Sequence, residues 1–155
     1  MQFKEWLARK TYYHGSFDKL PIGTILRPEP GYEEKWGGNA FYHVLEQFRP
    51  PNMISHKNAV FMLDNTDDLD NAGCADKYVY AVQPLGPVQK HDMNWSTEID
   101  VLTSDIDIMT FNQAEQTKAL KKVAMHYWRG DPHYSEPVWE YLTTYAVIVE
   151  LVEEN

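Results

Sequence analysis

Short apolar segments that end at glycine, proline or polar turn residues constrain the fold of this chain more than any other feature. Such segments are typical of β-strands, because apolar residues at alternating or consecutive positions cover one or both faces of a sheet. We predict strands over residues 11–14, 24–26, 59–63, 78–82 and 145–152. They form two groups along the chain and do not alternate with helices. The pattern therefore predicts an α+β fold and not a doubly wound parallel sheet.

One segment shows clear helical periodicity. Residues 111–128 place apolar residues on one side and lysines on the other, and Gly130 follows just beyond the end. The side expected in the core carries Leu120, Ala124 and Trp128, and the side expected in solvent carries Lys118, Lys121 and Lys122. Shorter helices are predicted over residues 2–9 and 40–48, and loops or irregular segments over residues 28–38, 65–71 and 88–94.

Composition and charge indicate a single domain over residues 1–155 that works in the cytoplasm. No apolar run approaches the ~20 residues that a spanning helix needs, so no membrane partner is expected. Cys74 is the only cysteine, which excludes disulfides within the chain and favours a reducing compartment. The net charge of −9 argues against non-specific attraction to nucleic acid. We expect a monomer with no strong nucleic-acid partner.

Several common kinds of site are not supported by the sequence. The histidines show neither an HExxH motif nor the paired spacing of a zinc site, so no metal is expected. They are His14, His43, His56, His91, His126 and His133. No glycine-rich phosphate loop or dinucleotide fingerprint is present, and Cys74 lacks a recognisable histidine–asparagine arrangement. The acidic run over residues 64–70 lacks the glycine and final glutamate of a calcium loop.

The segment Tyr12-Tyr13-His14-Gly15-Ser16 combines groups that suit ligand binding. His14 comes at the end of an aromatic strand, beside a Gly-Ser pair. A glycine allows a ligand to approach the backbone closely, and a serine hydroxyl donates or accepts a hydrogen bond.

This segment, together with Leu20-Pro21-Ile22-Gly23-Thr24-Ile25-Leu26, resembles the opening strand and turn of the ADP-ribosyltransferase superfamily. The closest similarity is to its diphtheria-toxin-like group, which includes poly(ADP-ribose) polymerases and small rifamycin ADP-ribosyltransferases. The resemblance implies that His14 holds the adenosine-side ribose of NAD⁺ and that the Gly15 backbone pairs with the nicotinamide amide. It also assigns Ser16 to the NAD⁺ site.

Two further segments follow in the order that the family has. Residues 59–63 are similar to the second motif, whose aromatic residue packs on the nicotinamide, and this implies that role for Phe61. The family usually has a tyrosine there, so Phe61 keeps the stacking face and lacks the hydroxyl. Tyr78 or Tyr80 is expected to compensate. Residues 78–88 resemble the next strand and turn of the rifamycin type, in which an Asp-Pro-Asn follows where this chain has Asp92-Met93-Asn94.

Two carboxylates are candidates for the chemistry. The segment Trp139-Glu140-Tyr141-Leu142 is similar to the family's glutamate motif, in which the carboxylate faces the nicotinamide ribose. A carboxylate there stabilises the positive charge that develops on the sugar when nicotinamide leaves. Glu140 has the better context among polymerase-like enzymes and Asp92 among rifamycin-type enzymes, and both assignments stay open at this point.

The resemblance implies transfer of ADP-ribose from NAD⁺ to a protein, a nucleic acid or a small molecule such as a rifamycin. The alternatives are an inactive module that binds NAD⁺, ADP-ribose or a partner, and an NAD⁺ glycohydrolase. A free-standing antibiotic-modifying enzyme or a bacterial or phage effector fits the short chain. Acceptor choice is expected to depend on residues 28–57 and 89–112.

The implied fold has two small, mainly antiparallel sheets that face each other across an NAD⁺-binding cleft lined by four of the predicted strands. We expect His14, Gly15, Phe61 and Glu140 to converge on one pocket, with Asp92 at its rim.

Overall fold

The computed structural model describes residues 10–68, 77–104 and 113–155. The predicted helix over residues 2–9 and the lone Cys74 lie outside these ranges. The strands of the described residues are β1 (Tyr12–Ser16), β2 (Ile25–Leu26), β3 (Val60–Met62), β4 (Tyr78–Pro84), β5 (Gln89–Asp92), β6 (Trp139–Thr143) and β7 (Ala146–Glu154). The helices are α1 (Tyr32–Trp36), α2 (Ala40–Gln47), α3 (Asn94–Ser104) and α4 (Gln113–Arg129), with a 3₁₀ turn at His56–Asn58.

The strands form two antiparallel sheets, so the predicted α+β class is confirmed. One sheet has four strands in the order β1-β4-β7-β2, and the other has three in the order β3-β6-β5. The sheets touch where the backbones of Tyr13 and Leu63 exchange two hydrogen bonds of 2.8 and 2.9 Å. They are also joined through the chain, because only Thr144 and Tyr145 separate β6 from β7.

Two apolar clusters hold these layers together. The first is contributed by both sheets and contains Leu26, Val60, Met62, Tyr80, Val82, Tyr141, Ala146 and Ile148. The second lies among α2, α3 and α4 and contains Val44, Leu45, Trp95, Ile99, Val123, Ala124, Tyr127 and Trp128. The helical layer meets the three-stranded sheet where the Tyr127 ring stacks on His91 of β5, with ring centroids 4.4 Å apart. Burial of this apolar surface is the main favourable term in folding.

Most of the predicted elements are confirmed. All five predicted strands are present with ends shifted by a few residues, although Gly15 lies within β1 and does not end it. The helix predicted over residues 111–128 is α4, and that over residues 40–48 is α2. On α4, Ala124 and Trp128 are buried and Leu120 packs half-buried against them. Its three lysines are exposed, as predicted.

The predicted loop over residues 28–38 was wrong, because it contains α1. Gly31 precedes this helix with a φ of +87°, a left-handed conformation that most side chains avoid. At the other end, a Cβ on Gly37 would clash with the carbonyl oxygen of Glu33. These two glycines bound a short helix inside a segment whose composition is typical of a loop.

The segment over residues 88–94 was wrongly predicted as irregular, since it contains β5. Its residues are polar, but pairing with β6 satisfies the backbone groups on one side of the strand. Lys90 also places its ammonium 3.8 Å from the centre of the Trp139 ring, a cation–π contact. The expected acceptor loop over residues 89–112 likewise contains α3, which buries Trp95 and Ile99 one turn apart.

Candidate functional site

The two sheets separate next to the Tyr13–Leu63 bridge. Continuing that antiparallel ladder by two residues would set Gly15 opposite Phe61. Instead, the carbonyl oxygen of Phe61 accepts a hydrogen bond from Nδ1 of His14, at 2.8 Å. The bridge is isolated, so the strands diverge at this point and the His14 ring lies where a backbone partner would be.

The backbone of Gly15 is directed toward this divergence. In a strand, residues two apart present their N–H and C=O groups to the same edge. Tyr13 uses its groups to bond Leu63, on the side of β1 away from β4. The N–H and C=O of Gly15 therefore point to the same side, toward Phe61. One donor and one acceptor close together match a carboxamide, and the missing side chain leaves room for a planar group.

The hydrogen bond to Phe61 also defines the state of the His14 ring. A carbonyl only accepts, so Nδ1 carries the hydrogen and donates it. In the neutral ring, Nε2 is then the accepting nitrogen. The side chain is half-buried, so Nε2 is suited to accept a hydrogen bond from a hydroxyl of a bound molecule.

Phe61 lies against an aromatic partner that the sequence did not reveal. The ring of Tyr32, from α1, stacks on it with centroids 5.8 Å apart and planes inclined by 14°. His56 packs edge-on against both rings. Tyr32 therefore places a second aromatic ring, one that carries a hydroxyl, beside Phe61.

Glu140 lies on the same face of the three-stranded sheet as Phe61. Phe61 pairs with Leu142, and Glu140 is two residues from Leu142 on the same strand, so all three side chains share a face. Across the sheet, Glu140 pairs with His91 of β5. Surrounding protein raises the pKa of the Glu140 carboxyl to about 7, because burial disfavours its ionised form. The residue as a whole is half-buried.

A buried network of hydroxyl and imidazole groups holds Glu140. The hydroxyl of Tyr127, on α4, donates to Oε2 of Glu140 at 3.2 Å. That same hydroxyl lies 2.6 Å from Nε2 of His56. Nδ1 of His56 in turn lies 3.3 Å from the Tyr32 hydroxyl. Four side chains from α1, the 3₁₀ turn, α4 and β6 thus form one continuous chain of hydrogen bonds.

Burial changes the acid–base behaviour of this network. It lowers the pKa of His56 to about 3 and that of His91 to about 4, so both rings are neutral at physiological pH. Burial raises the pKa of Tyr127 well above its usual range, and the nearby Glu140 charge adds to this. The Tyr32 pKa is raised for the same two reasons. Strongly shifted values grouped at one place are characteristic of functional sites.

His91 lies beside Glu140 on the neighbouring strand. Its Nδ1 bonds the backbone carbonyl of Tyr127 at 2.6 Å, and its ring stacks on the Tyr127 ring. Within the described part of the chain, Nε2 of His91 has no hydrogen-bond partner although it is buried. Such a group is costly to leave unpaired and is uncommon in native interiors.

Asp92 was expected at the rim of the site, and this expectation was wrong, because the residue is fully buried. It adjoins His91 on β5 and pairs with Trp139, so its side chain points to the face opposite Glu140. Its two oxygens accept three backbone N–H groups: those of Asn94 at 3.0 Å, Val138 at 3.2 Å and His133 at 2.8 Å. The carboxylate therefore starts α3 and fastens the segment before β6.

The other predicted NAD⁺-site residues lie along β1 and β4. Ser16 accepts a hydrogen bond from the Asp18 N–H at 3.1 Å, a local turn contact. Tyr78 is half-buried and pairs with Ser16. Tyr80 is a core residue with 1% of its surface exposed, and its hydroxyl accepts from the Leu20 N–H at 2.7 Å. Tyr32, and not Tyr78 or Tyr80, is the tyrosine recorded in ring contact with Phe61.

Sequence reasoning missed Tyr32, His56 and Tyr127. For Tyr127 a signal was present, since it adjoins Ala124 and Trp128 on the apolar side of α4, where a hydroxyl needs a buried partner. Nothing in the sequence pointed to His56, whose partner Tyr127 is far away along the chain.

Comparison with known proteins gives no assignment: no protein-family model matches the chain, and no curated protein matches its sequence. Among the described residues, no cluster of histidine, cysteine, aspartate or glutamate side chains is arranged to hold a metal ion. The described helices include none with both the length and the apolar character needed to cross a bilayer.

Proposed function

We propose that this protein transfers ADP-ribose from NAD⁺ to an acceptor and releases nicotinamide, in an ADP-ribosyltransferase-like split fold. The observation that carries the proposal is the hydrogen bond from His14 to the Phe61 carbonyl, at the point where the two sheets diverge. It joins the two motifs that resemble the family's histidine and aromatic motifs. The third, Glu140, shares a face with Phe61.

The groups around this point suit the nicotinamide end of NAD⁺. The Gly15 backbone offers one donor and one acceptor to the carboxamide, and Phe61 with Tyr32 offers aromatic surface to the ring. Nε2 of His14 accepts a hydrogen bond from a ribose hydroxyl. Each contact uses a different part of the substrate, which fixes the orientation of the bond to be broken.

Glu140 supplies the chemistry. The bond between the nicotinamide nitrogen and the ribose carbon breaks, nicotinamide leaves with the bonding electrons, and positive charge develops on the sugar. An ionised Glu140 stabilises that charge and can hydrogen-bond a ribose hydroxyl. The acceptor then attacks the same carbon, and its proton passes to Glu140, whose pKa of about 7 suits a group that both loses and gains a proton near neutral pH.

Asp92 is poorly suited to this role. Both of its oxygens are engaged by backbone N–H groups, and its side chain lies on the opposite face of the sheet. The proposal therefore assigns the principal carboxylate to Glu140.

The test is nicotinamide release from NAD⁺ by the purified protein and three variants. Glu140→Gln keeps the shape of the side chain and removes its charge, so release should fall ~10²–10³-fold while NAD⁺ still binds. Glu153→Gln, at an exposed position on β7, is the matched control and should leave release unchanged. His14→Ala should weaken NAD⁺ binding by calorimetry as well as release, because this residue holds the substrate.

The outcomes separate the alternatives. NAD⁺ binding without nicotinamide release would identify a binding module, and release without a labelled acceptor in lysate given labelled NAD⁺ would identify a glycohydrolase. Loss of activity in Asp92→Asn, as a folded protein, with full activity in Glu140→Gln would reverse the assignment of the carboxylate. If the wild-type protein neither binds NAD⁺ nor releases nicotinamide, the proposal is overturned.

A further inference from the structure

A series of hydrogen-bonded side chains leads from Glu140 to Tyr32. Its links are Glu140 to Tyr127 at 3.2 Å, Tyr127 to His56 at 2.6 Å, and His56 to Tyr32 at 3.3 Å. The two inner members are buried, His56 with 4% and Tyr127 with 0% of its surface exposed. Glu140 and Tyr32, at the two ends, are both half-buried, so the hydrogen bonds run from the carboxylate through two enclosed groups to a second partly exposed group.

When Glu140 is ionised, these hydrogen bonds can have only one direction. An ionised carboxylate only accepts, so the Tyr127 hydroxyl donates to Glu140 and its oxygen is left to accept. His56 is neutral because burial lowers its pKa to about 3, and it therefore carries one hydrogen, on the Nε2 that faces Tyr127. Nδ1 of His56 then accepts from the Tyr32 hydroxyl. Every donor in the chain points toward Glu140.

The chain also has a consistent reversed arrangement. When Glu140 is protonated, it can donate to Tyr127, which donates to Nε2 of His56, while Nδ1 of His56 carries the hydrogen and donates to Tyr32. Going from this arrangement to the first, each group passes one proton outward, and one proton leaves Tyr32 for solvent. Glu140 ends ionised, and Tyr127, His56 and Tyr32 each keep the same number of protons, so the transfer balances without a tyrosinate or an imidazolium.

We propose that Tyr127, His56 and Tyr32 form a proton relay that exchanges the proton of Glu140 with solvent and sets its protonation. This inference rests on the proposed function, in which Glu140 receives the acceptor's proton, and deepens it by naming the exit for that proton. The three are positioning and relay residues, since none of them is assigned a bond to the reacting atoms. Tyr32 also stacks on Phe61, which places the end of the relay beside the proposed nicotinamide site.

Burial raises the pKa of Glu140, and the hydrogen bond from Tyr127 opposes that shift. The titratable groups around it are Tyr127, His91, His56, Tyr32 and, farther away on α2, Glu46. Glu46 is held by the Ser55 hydroxyl at 2.6 Å and by Arg49 at 3.2 Å. No lysine or arginine forms an ion pair with Glu140 among the residues described. Tyr127 is thus its direct hydrogen-bond donor, and removing that hydroxyl removes the bond that favours the ionised form.

The first experiment needs no turnover. Carbon-13 NMR of protein labelled in its glutamate carboxyls follows the titration of Glu140, identified by its loss in Glu140→Gln. Tyr127→Phe should raise the midpoint of that titration by about one pH unit, since a hydrogen bond to a charged group is worth about that much. Tyr42→Phe is the matched control: Tyr42 is buried beside Tyr32 but donates to Glu33. It should leave the midpoint unchanged.

The second experiment measures nicotinamide release across pH. Tyr32→Phe keeps the stacked ring and removes only the last link, so release should fall about 10²-fold or more, the usual contribution of a proton-transfer group. His56→Gln keeps a hydrogen bond but cannot pass a proton, so nicotinamide release should fall by a similar factor in this variant. An unchanged Glu140 midpoint in Tyr127→Phe, or equal effects of Tyr32→Phe and Tyr42→Phe, would overturn the relay. Absence of release from the wild type would overturn the proposed function while the NMR result still decides the relay.

Discussion

The two faces of the β5–β6 ladder carry two carboxylates in opposite circumstances. On one face, Asp92 accepts three backbone N–H groups that belong to fixed parts of the fold. On the other, Glu140 is held by one tyrosine hydroxyl, and burial raises its pKa to about 7. Neighbouring strands thus place one carboxylate where its loss would break the structure and another where its charge is easily changed.

The difference indicates how a functional carboxylate can be recognised. Backbone donors cannot leave or rotate, so a carboxylate that they saturate is committed to holding the chain. A carboxylate with few partners in a surrounding that disfavours its charge costs stability and is retained for chemistry. This criterion favours Glu140 as the carboxylate of the proposed reaction and Asp92 as a structural one.

The largest expected effect is on stability, at Asp92. Asp92→Ala would leave three backbone N–H groups without their acceptor, and we expect the free energy of unfolding to fall by about 3–5 kcal/mol. Glu140→Gln should change it by no more than about 1 kcal/mol in either direction, because a buried charge is replaced by a neutral amide. Urea denaturation of both variants measures this. Equal losses would remove the contrast between the two faces.

Acid should destabilise the fold through the two histidines that face Glu140 and Tyr127. The pKa values of His56 and His91 are lowered from 6.5 to about 3 and about 4, so between these values and pH 6.5 the unfolded chain binds more protons than the native one. The stability that the two neutral rings contribute is fully present above pH 6.5 and is lost as the pH falls through this window. Glu140 has the opposite effect on stability, because its pKa is raised from 4.5 to about 7. Its contribution to the free energy of unfolding falls as the pH rises between these values.

The two histidines with lowered pKa values contribute more to the change in stability than the one carboxyl with a raised pKa. The unfolding midpoint in urea should therefore decrease steadily from pH 6.5 to pH 4. His56→Gln should flatten this decline, whereas His43→Gln, at an exposed position, should not. A decline of the same steepness in both variants would show that the buried rings do not govern it.

The smallest effect is expected where charges have no buried partner. Reversing Lys118, Lys121 and Lys122 of α4 together should alter the free energy of unfolding by no more than about 0.5 kcal/mol for each residue. Thermal unfolding of the triple variant checks this. A larger loss would mean that exposed charges matter here as much as buried ones. Weaker capture of an acidic partner without loss of stability would instead mark this side of α4 as a binding surface.

The sequence predicted the fold where the local pattern and the tertiary environment agree. The strongly apolar β7 and the periodic α4 fall in this class, as does β1 with His14. It failed where distant contacts decide. The polar residues of β5 form a strand only because β6 pairs with them, and the short α1 depends on the backbone of Gly31 and Gly37.

The site was only partly predictable for the same reason. His14 and Phe61 belong to short motifs that resemble a family, and the hydrogen bond between them follows from their place at the sheet junction. The environment of Glu140 and Asp92 could not be read from the chain, because it is made by backbone and side chains far away in sequence. His56 has no local signal, and its role follows only from the folded position of Tyr127.

The position of β7 has a consequence for biosynthesis. It lies between β4 and β2 in the four-stranded sheet, and it directly follows the strand that carries Glu140. A nascent chain therefore lacks a central strand of that sheet until almost all of these residues have left the ribosome, and contacts between distant segments form slowly. Glu140 lies on β6, immediately before this strand, so the proposed site also lacks its carboxylate until most of these residues have been synthesised.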